Sequence, residues 1–279
     1  MDDFSPRRAP VEYWFWRFRP GDLSFLVDFI VRQDRDAEVR VSVWVRGEGR
    51  VARVTDGGAS AAESGIAIGK SVFERRGSHG AVDDIRWDLA WDAGSRLVDP
   101  SPPLLGRLHA LDLEILIRPD ARFRGSVTVG EETFTIDDVA GAITHYWGRR
   151  LPDRWWWISA SEFEGAPGMR LEAIVLRSSV WGRGRLPVDL GYLWVTDGTQ
   201  ADMTVWPVTG ILRSRVLGTG IQIDSLSARG RRHRVRASAP ETSFNDLGEG
   251  IRQTLLGDLV CDGSRAVAGT VGLESRHSG

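Results

Sequence analysis

The 279-residue sequence predicts an all-β protein built as two antiparallel β-barrels in tandem, and three observations carry that prediction. Apolar residues recur with period two through most of the chain, the spacing that sends alternate side chains to one face of a sheet. Turn signals such as Asp56-Gly57-Gly58, Asp197-Gly198 and Asp262-Gly263 punctuate the alternating runs. The two halves also echo each other: Tyr13-Trp14-Phe15-Trp16-Arg17-Phe18 opens the first and an aromatic run at 154–158 opens the second, each followed by an apolar alternating segment. One continuous β-sandwich is the alternative that the same strands allow.

In chain order, strand 11–18 places Glu12, Trp14, Trp16 and Phe18 on one face and Tyr13, Phe15 and Arg17 on the other. Segment 23–31 aligns Leu23, Phe25, Val27, Phe29 and Val31, and 39–45 aligns Val39, Val41, Val43 and Val45. Further strands are predicted at 50–55, 66–75 and 83–91. Asp92 through Gly106, rich in Asp, Pro and Gly, reads as a long connection. Strands at 111–117, with Leu111, Leu113, Ile115 and Ile117 on one face, and at 122–129 complete the first half. The second half offers 154–163, 169–180, 190–197, 201–208, 210–217, 219–226, 231–238 and 266–274. About sixteen short strands fit two barrels better than one, with domains 1–143 and 144–279. Short helices are expected only near 136–143 and 244–255.

Composition narrows the function. A net charge of −2 gives no global basic field, so nucleic acid is not expected as a partner, although 35 of the 36 basic residues are arginine and only Lys70 is lysine. No segment approaches the length of an apolar membrane span, and the start Met1-Asp2-Asp3 lacks the regions of a signal peptide. These features predict a soluble, cytoplasmic chain without stable membrane insertion. The single cysteine, Cys261, excludes an internal disulfide and Cys-rich zinc sites and reads as a small buried apolar residue. His79, His109, His233 and His277 are scattered, so no metal site is expected. Gly-X-Ser-X-Gly, Walker and dinucleotide fingerprints are absent, and no cofactor is expected. Oligomeric state is not fixed by these features.

A small barrel holds side chains or one small ligand, so candidate chemistry lies where aromatic and ionisable residues share a face. Glu12 lies beside Trp14 and Trp16. Asp28 shares its face with Leu26 and Ile30 in a strand whose other face is apolar; it reads as a buried general acid or as the structural partner of an arginine such as Arg17 or Arg46. Trp44 sits among Arg40, Ser42 and Arg46, a pattern that suits a barrel mouth. His145 is the one histidine in an aromatic, turn-rich context, suited to hydrogen bonding or proton transfer, or to holding a loop. In the second half Glu162, Glu164 and Glu172, with Tyr192, Trp194 and Trp206, suggest a second pocket of acid, phenol and indole, against the ordinary reading of solvated strand-end carboxylates.

The densest signal is 145–157, which puts four of the twelve tryptophans in thirteen residues around a Gly/Pro turn. Its Trp147, Gly148, Pro152, Trp155 and Trp157 resemble the W-G-x-x-x-P-x-x-W-x-W signature of the tocopherol cyclase-like proteins. Its His145-Tyr146-Trp147-Gly148 start is similar to the carotenoid 1,2-hydratase (hydroxyneurosporene synthase) family, as is the position of Glu274 near the closing strand. The resemblance implies two lipocalin-like (calycin) barrels that act without a cofactor on isoprenoid or polyene substrates. Tyr146 stands where tocopherol cyclases carry Asn, and those proteins are longer, so the substrate does not carry over.

Residues and resemblance together lead to the expectation of a cofactor-independent cyclase or isomerase for a hydrophobic polyene, prenylated or polyketide-type metabolite. Cyclisation, including pericyclic closure of the Diels–Alder type, would follow from folding the substrate and activating it by acid or hydrogen bond. Asp28, Glu12, His145 and Glu274 are the candidate catalytic residues, and Trp14, Trp16, Trp44, Trp147, Trp155, Trp157, Tyr192, Trp194 and Trp206 the candidate substrate-binding ones. The alternatives are a non-catalytic lipid or pigment carrier, a hydratase of an isoprenoid double bond, and barrels in which the tryptophans only fill cores.

Overall fold

The computed structural model describes residues 5–62, 65–92, 97–100, 113–180, 186–267 and 271–276. The chain forms two nearly closed, lipocalin-like antiparallel β-barrels, and the main division between the two compact units falls after Leu151. Most of the connection predicted from Asp92 to Gly106 lies outside the described residues; within it, Val98 bridges Ile117. Among the described residues no helix is long and apolar enough to cross a membrane.

In the first unit, β1 (Val11–Phe18) pairs with β2 (Leu23–Arg32), which leads through β3 (Ala37–Val45) to β4 (Glu48–Asp56). On its other side β1 meets β11 (Glu132–Gly148), followed by β10 (Leu113–Val129), β9 (Ile85–Asp92), β8 (Gly77–Val82), β7 (Ser71–Glu74), β6 (Gly65–Ile68) and β5 (Ala59–Ala62). The predicted strand 66–75 is thus two strands, broken at Gly69, whose φ of +57° favours glycine. In the second unit the aromatic strand β12 (Arg154–Ala160) pairs with β13 (Arg170–Val180), which leads to β14 (Leu186–Thr196) and β15 (Ala201–Trp206). On the other side it pairs with the last strand, β22 (Val271–Arg276), then β20 (Ile251–Cys261), β18 (Arg232–Ser238), β17 (Gly220–Ser227) and β16 (Gly210–Leu217). Two short strands, β19 (Asn245–Gly248) and β21 (Ser264–Arg265), pair on β20. Each unit therefore seats its tryptophan-rich strand between the strand that follows it and the strand that closes the unit.

Neither predicted α-helix forms, and the reason is visible in the register. Residues 136–143 belong to β11, where Phe123 faces Val139 but Gly125 faces Ile136. The extra residue is a bulge at Asp137 and Asp138, and Asp138 takes a left-handed φ of +55°. An inserted residue changes the inward spacing from two to three at Ile136 and Val139, which imitates the spacing of a helix. Asp138 is fixed there by Arg122 at 2.5 Å and Arg124 at 2.7 Å. Residues 244–255 likewise form β19, a turn at Glu249-Gly250 and the start of β20, whose pairing with β22 shifts between Thr254 and Gly257.

The first barrel is filled by Trp14, Trp16 and Phe18 of β1 with Phe25, Val27 and Phe29 of β2, Phe73, Trp87, Trp91 and Phe123. Trp16 has no exposed surface and lies 5.4–6.4 Å, centroid to centroid, from Phe25, Trp87, Trp91 and Phe123. The second is filled by Trp156, Ile158 and Ala160 with Leu171, Leu193, Ile223, Val235, Leu259 and Leu273. Trp16→Ala should therefore cost about 3–5 kcal/mol, read as a lowered denaturant midpoint with no loss of β-sheet circular dichroism in buffer.

Candidate functional site

The sequence-predicted residues fall into three groups. The first lies at one end of the interior of the first barrel. Register places Glu12 beside Trp147, and Trp14 beside His145. Glu12 is only 2% exposed, a costly place for a carboxylate without donors. Its two oxygens accept the backbone N–H groups of Arg7 (2.9 Å) and Ala9 (2.8 Å), and His145 Nε2 lies at 3.4 Å. His145 is fully buried, stacked on Trp14 at 4.7 Å and tilted against Trp147 at 4.8 Å, with the Arg7 guanidinium 5.1 Å over the Trp147 ring. Glu12 thus fastens the N-terminal segment across a histidine and two indoles. Trp16, deeper on the same face, is packed on all sides by rings.

The second group occupies the opposite face of β1–β3. Asp28 faces Arg40 across the β2–β3 ladder, and Arg46 pairs with Glu132, at 2.5 Å. Burial works against the Arg40 charge, but Asp28 and Glu38 outweigh it and hold the guanidinium above its ordinary pKa. Burial likewise pushes the Tyr13 phenol up, against the opposing pull of Arg32, whose guanidinium donates to the phenol oxygen at 2.6 Å. Trp44 shares this face and is 1% exposed.

The third group is the most complete, and it lies on the face of the second unit opposite to that barrel's core. Three rows cross the strands there. One runs Met203, Trp194, Glu172, Ser159 and Gly272; the next runs Val205, Tyr192, Ile174, Trp157, Glu274 and Gln253; the third brings Arg276 beside Trp155. Trp157 is the hub. Its indole N–H donates to Glu172, and its ring occupies the space over Gly272, where an added Cβ would come within 2.7 Å of it. Trp155 donates its N–H to Glu274 Oε1 at 2.8 Å, the Gln253 amide donates to Glu274 Oε2 at 2.7 Å, and Arg276 lies 5.5 Å over the Trp155 ring. Glu172, Ser159, Gln253, Tyr192 and Trp194 are all buried and Glu274 half-buried. Ser159 Oγ and Gln253 Oε1 are buried without a hydrogen-bond partner from the protein, a state that costs about 1–3 kcal/mol each.

Glu274, Trp155, Trp157, Tyr192 and Trp194 are therefore brought together. Asp28 belongs to one face of the first unit, Glu12 and His145 to the other, and Trp206 packs against the core of the second barrel. Glu172, Ser159 and Gln253 complete the cluster. The sequence signal for Glu172 is its alternation with Leu171 and Ala173, which places a carboxylate on the face opposite to the core. Gln253 lies in the segment whose bulge imitates a helix. The resemblance motif is shared between the two units: Trp147 and Gly148 end β11, while Pro152, Trp155 and Trp157 lead into the second unit.

No family model matches the chain. Two uncharacterized proteins of Mycobacterium tuberculosis, from strains CDC 1551 / Oshkosh and H37Rv, are 27% identical over 173 residues, 61% of this chain and 50% of theirs. The chain thus spans about half the length of the curated relatives it matches. Among solved structures, an AttH-type protein of Nitrosomonas europaea gives a TM-score of 0.65 at 12% identity, covering 99% of this chain and 95% of that one. Kievitone hydratase from Nectria haematococca gives 0.63 at 10% identity, covering 98% and 90%. CghA gives 0.61 at 11% identity, covering 97% and 89%. At these identities the likeness is one of fold.

Two outcomes follow from the geometry. Glu12→Ala removes the acceptor of two backbone N–H groups, so hydrogen exchange at Arg7 and Ala9 should accelerate by at least about tenfold, consistent with about 1–3 kcal/mol per unsatisfied group. Tyr13, with its pKa raised in the fold, stays neutral while an unfolded phenol ionises near 10.0. Its contribution to stability is whole below pH 10 and is lost as pH rises through the folded pKa. Tyr13→Phe should remove that alkaline loss in unfolding curves measured between pH 9 and 11.

Proposed function

We propose that the protein is an enzyme that activates a hydrophobic small molecule by proton transfer, in the class of isomerases, cyclases and hydratases, on the Glu172–Trp157–Glu274 face of its second unit. The observation that carries this reading is the pair of carboxylates set among Trp155, Trp157, Tyr192 and Trp194, beside two buried polar atoms that the protein leaves unsatisfied. Binding an apolar molecule needs the rings alone; the carboxylates, the hydroxyl and the amide supply acid–base and orienting chemistry.

The roles divide by hydrogen bonding. Both oxygens of Glu274 accept donors, Trp155 on one and Gln253 on the other, which suits this carboxylate to orienting the substrate and stabilising charge. Glu172 has Oε1 held by Trp157 and lies in register with Ser159, a position from which it transfers a proton to or from a double bond or an adjacent hydroxyl. Ser159 Oγ and Gln253 Oε1 are suited to bind the polar end of the substrate. A carbocation developing next to the rings is stabilised by Trp157 and Trp194 through cation–π contact, worth about 2 kcal/mol when desolvated.

The motif likeness to tocopherol cyclase-like proteins and carotenoid 1,2-hydratases supports a prenylated or polyene substrate, and the fold shared with kievitone hydratase supports addition of water as readily as ring closure. In this reading Glu12, His145 and Asp28 shape and close the first barrel.

Incubating the protein with prenylated phenols and polyenes in deuterium oxide tests the proposal. A product carrying one deuterium at the protonated carbon is expected, with Glu172→Gln lowering the rate about 100-fold or more and Glu274→Gln lowering it while leaving the fold intact. Full turnover in both variants on an accepted substrate would sink the assignment.

A further inference from the structure

We propose that His233, Cys261 and Asp262 form a binding site for one divalent cation of the zinc class at the edge of the second barrel, independently of the proton-transfer site. The residues come from separate elements: His233 from β18, Cys261 from the end of β20, and Asp262 from the turn into β21. Their ligand atoms lie within 4.8 Å of one another.

The hydrogen bonding around His233 points to a cation. Its Nε2 lies 3.1 Å from Asp202 Oδ2 and its Nδ1 lies 2.6 Å from Asp262 Oδ2. A neutral imidazole has one donor and one acceptor nitrogen. Asp202, buried on β15, takes the Nε2–H, so the Nδ1 lone pair is aimed at a carboxylate oxygen. Nδ1 and the Asp262 oxygen are thus two ligand atoms converging on one point. The carboxylate–histidine arrangement made by Asp202 is the one that orients imidazole ligands in metal sites.

Cys261 Sγ supplies the third ligand atom: its thiol hydrogen-bonds to Asp262, and together with imidazole and carboxylate it makes a donor set that suits a borderline-soft cation. The metal enters by displacing a proton from sulfur, so affinity should rise with pH. Asp262 is clasped onto β18 through Oδ1, which accepts the Arg234 N–H at 2.7 Å. It remains partly exposed, with 39% of its side chain accessible, so its carboxylate can open the short contact to the wider angle at a tetrahedral ion. His233 and Asp262 line a shallow cavity of about 580 Å³, and Ser225, also in its wall, keeps a buried Oγ without a protein partner. That cavity provides the approach and leaves the fourth position to a small ligand. Chain spacing does not reveal this set, because β-pairing alone joins its members.

The test uses tag-free protein with zinc sulfate or cobalt chloride. One zinc per chain should survive dialysis and raise the melting temperature, and cobalt should produce a thiolate-to-metal absorption band. Cys261→Ala should abolish the band, His233→Ala should weaken binding at least about tenfold, and Asp202→Asn should weaken it about 10–100-fold. If Cys261→Ala fails to fold, Asp262→Asn, on the exposed turn, should show the same loss of affinity. Zinc that is not retained, retention equal in His233→Ala, or cobalt binding without the band would each overturn the proposal.

Discussion

Burial of both faces of the tryptophan strands is the constraint on which the rest of this structure depends. An antiparallel strand ordinarily pays one face to the core and gives the other to water. In β1 and β12 that division fails: Trp14 and Trp16 point into one barrel and Trp156 into the other, yet Arg17, Trp155, Trp157 and Ser159 on the opposite faces are buried as well. Each is paired laterally with the following strand and with the strand that ends its unit. The closing strands β11 and β22 then bring His145 beside Trp14 and Glu274 beside Trp157.

The second consequence is electrostatic. A carboxylate on a buried face is tolerated only where donors meet it. Each candidate acid meets different ones. Backbone N–H groups hold Glu12, a cross-strand arginine faces Asp28, and indole N–H groups meet Glu172 and Glu274. Those partners separate the roles. An arginine lies across the ladder from Asp28, while Glu172 is, in the proposed reading, the carboxyl group that exchanges its proton.

Most of the architecture is legible in the sequence because period-two alternation is a local signal, and β1, β2, β3 and β12 are where that signal is strong. The misreadings have one cause. At Asp137-Asp138 and near Leu255-Leu256 a bulge inserts a residue, and the inward positions step by three, so a strand takes on the spacing of a helix. The candidate site is legible in part for a related reason. Alternation tells which residues share a strand face, so Trp155, Trp157 and Ser159 are grouped from the sequence. It does not tell which strand lies alongside. That Glu274 pairs with Trp157, or that Gln253 reaches Glu274, follows from the closing order of the sheet. Cys261 and Asp262 meet His233 for the same nonlocal reason.

The distinction between an enzyme and a carrier rests on what the second unit keeps on its buried face. For holding an apolar molecule, hydrophobic residues of similar volume at positions 172, 253 and 274 would serve as well or better, since replacing buried polar groups with well-packed apolar ones is often neutral or stabilising. The face instead holds two glutamates, an amide with an unsatisfied oxygen and a serine hydroxyl around one tryptophan. Gly272 gives up its side chain so that this ring can lie where it does. Such a set is costly to fold, and that cost supports the proposed reading, in which a bound molecule is oriented by its polar end and exchanges a proton. The energetic disadvantage of the cluster is therefore the strongest argument that it acts on its ligand.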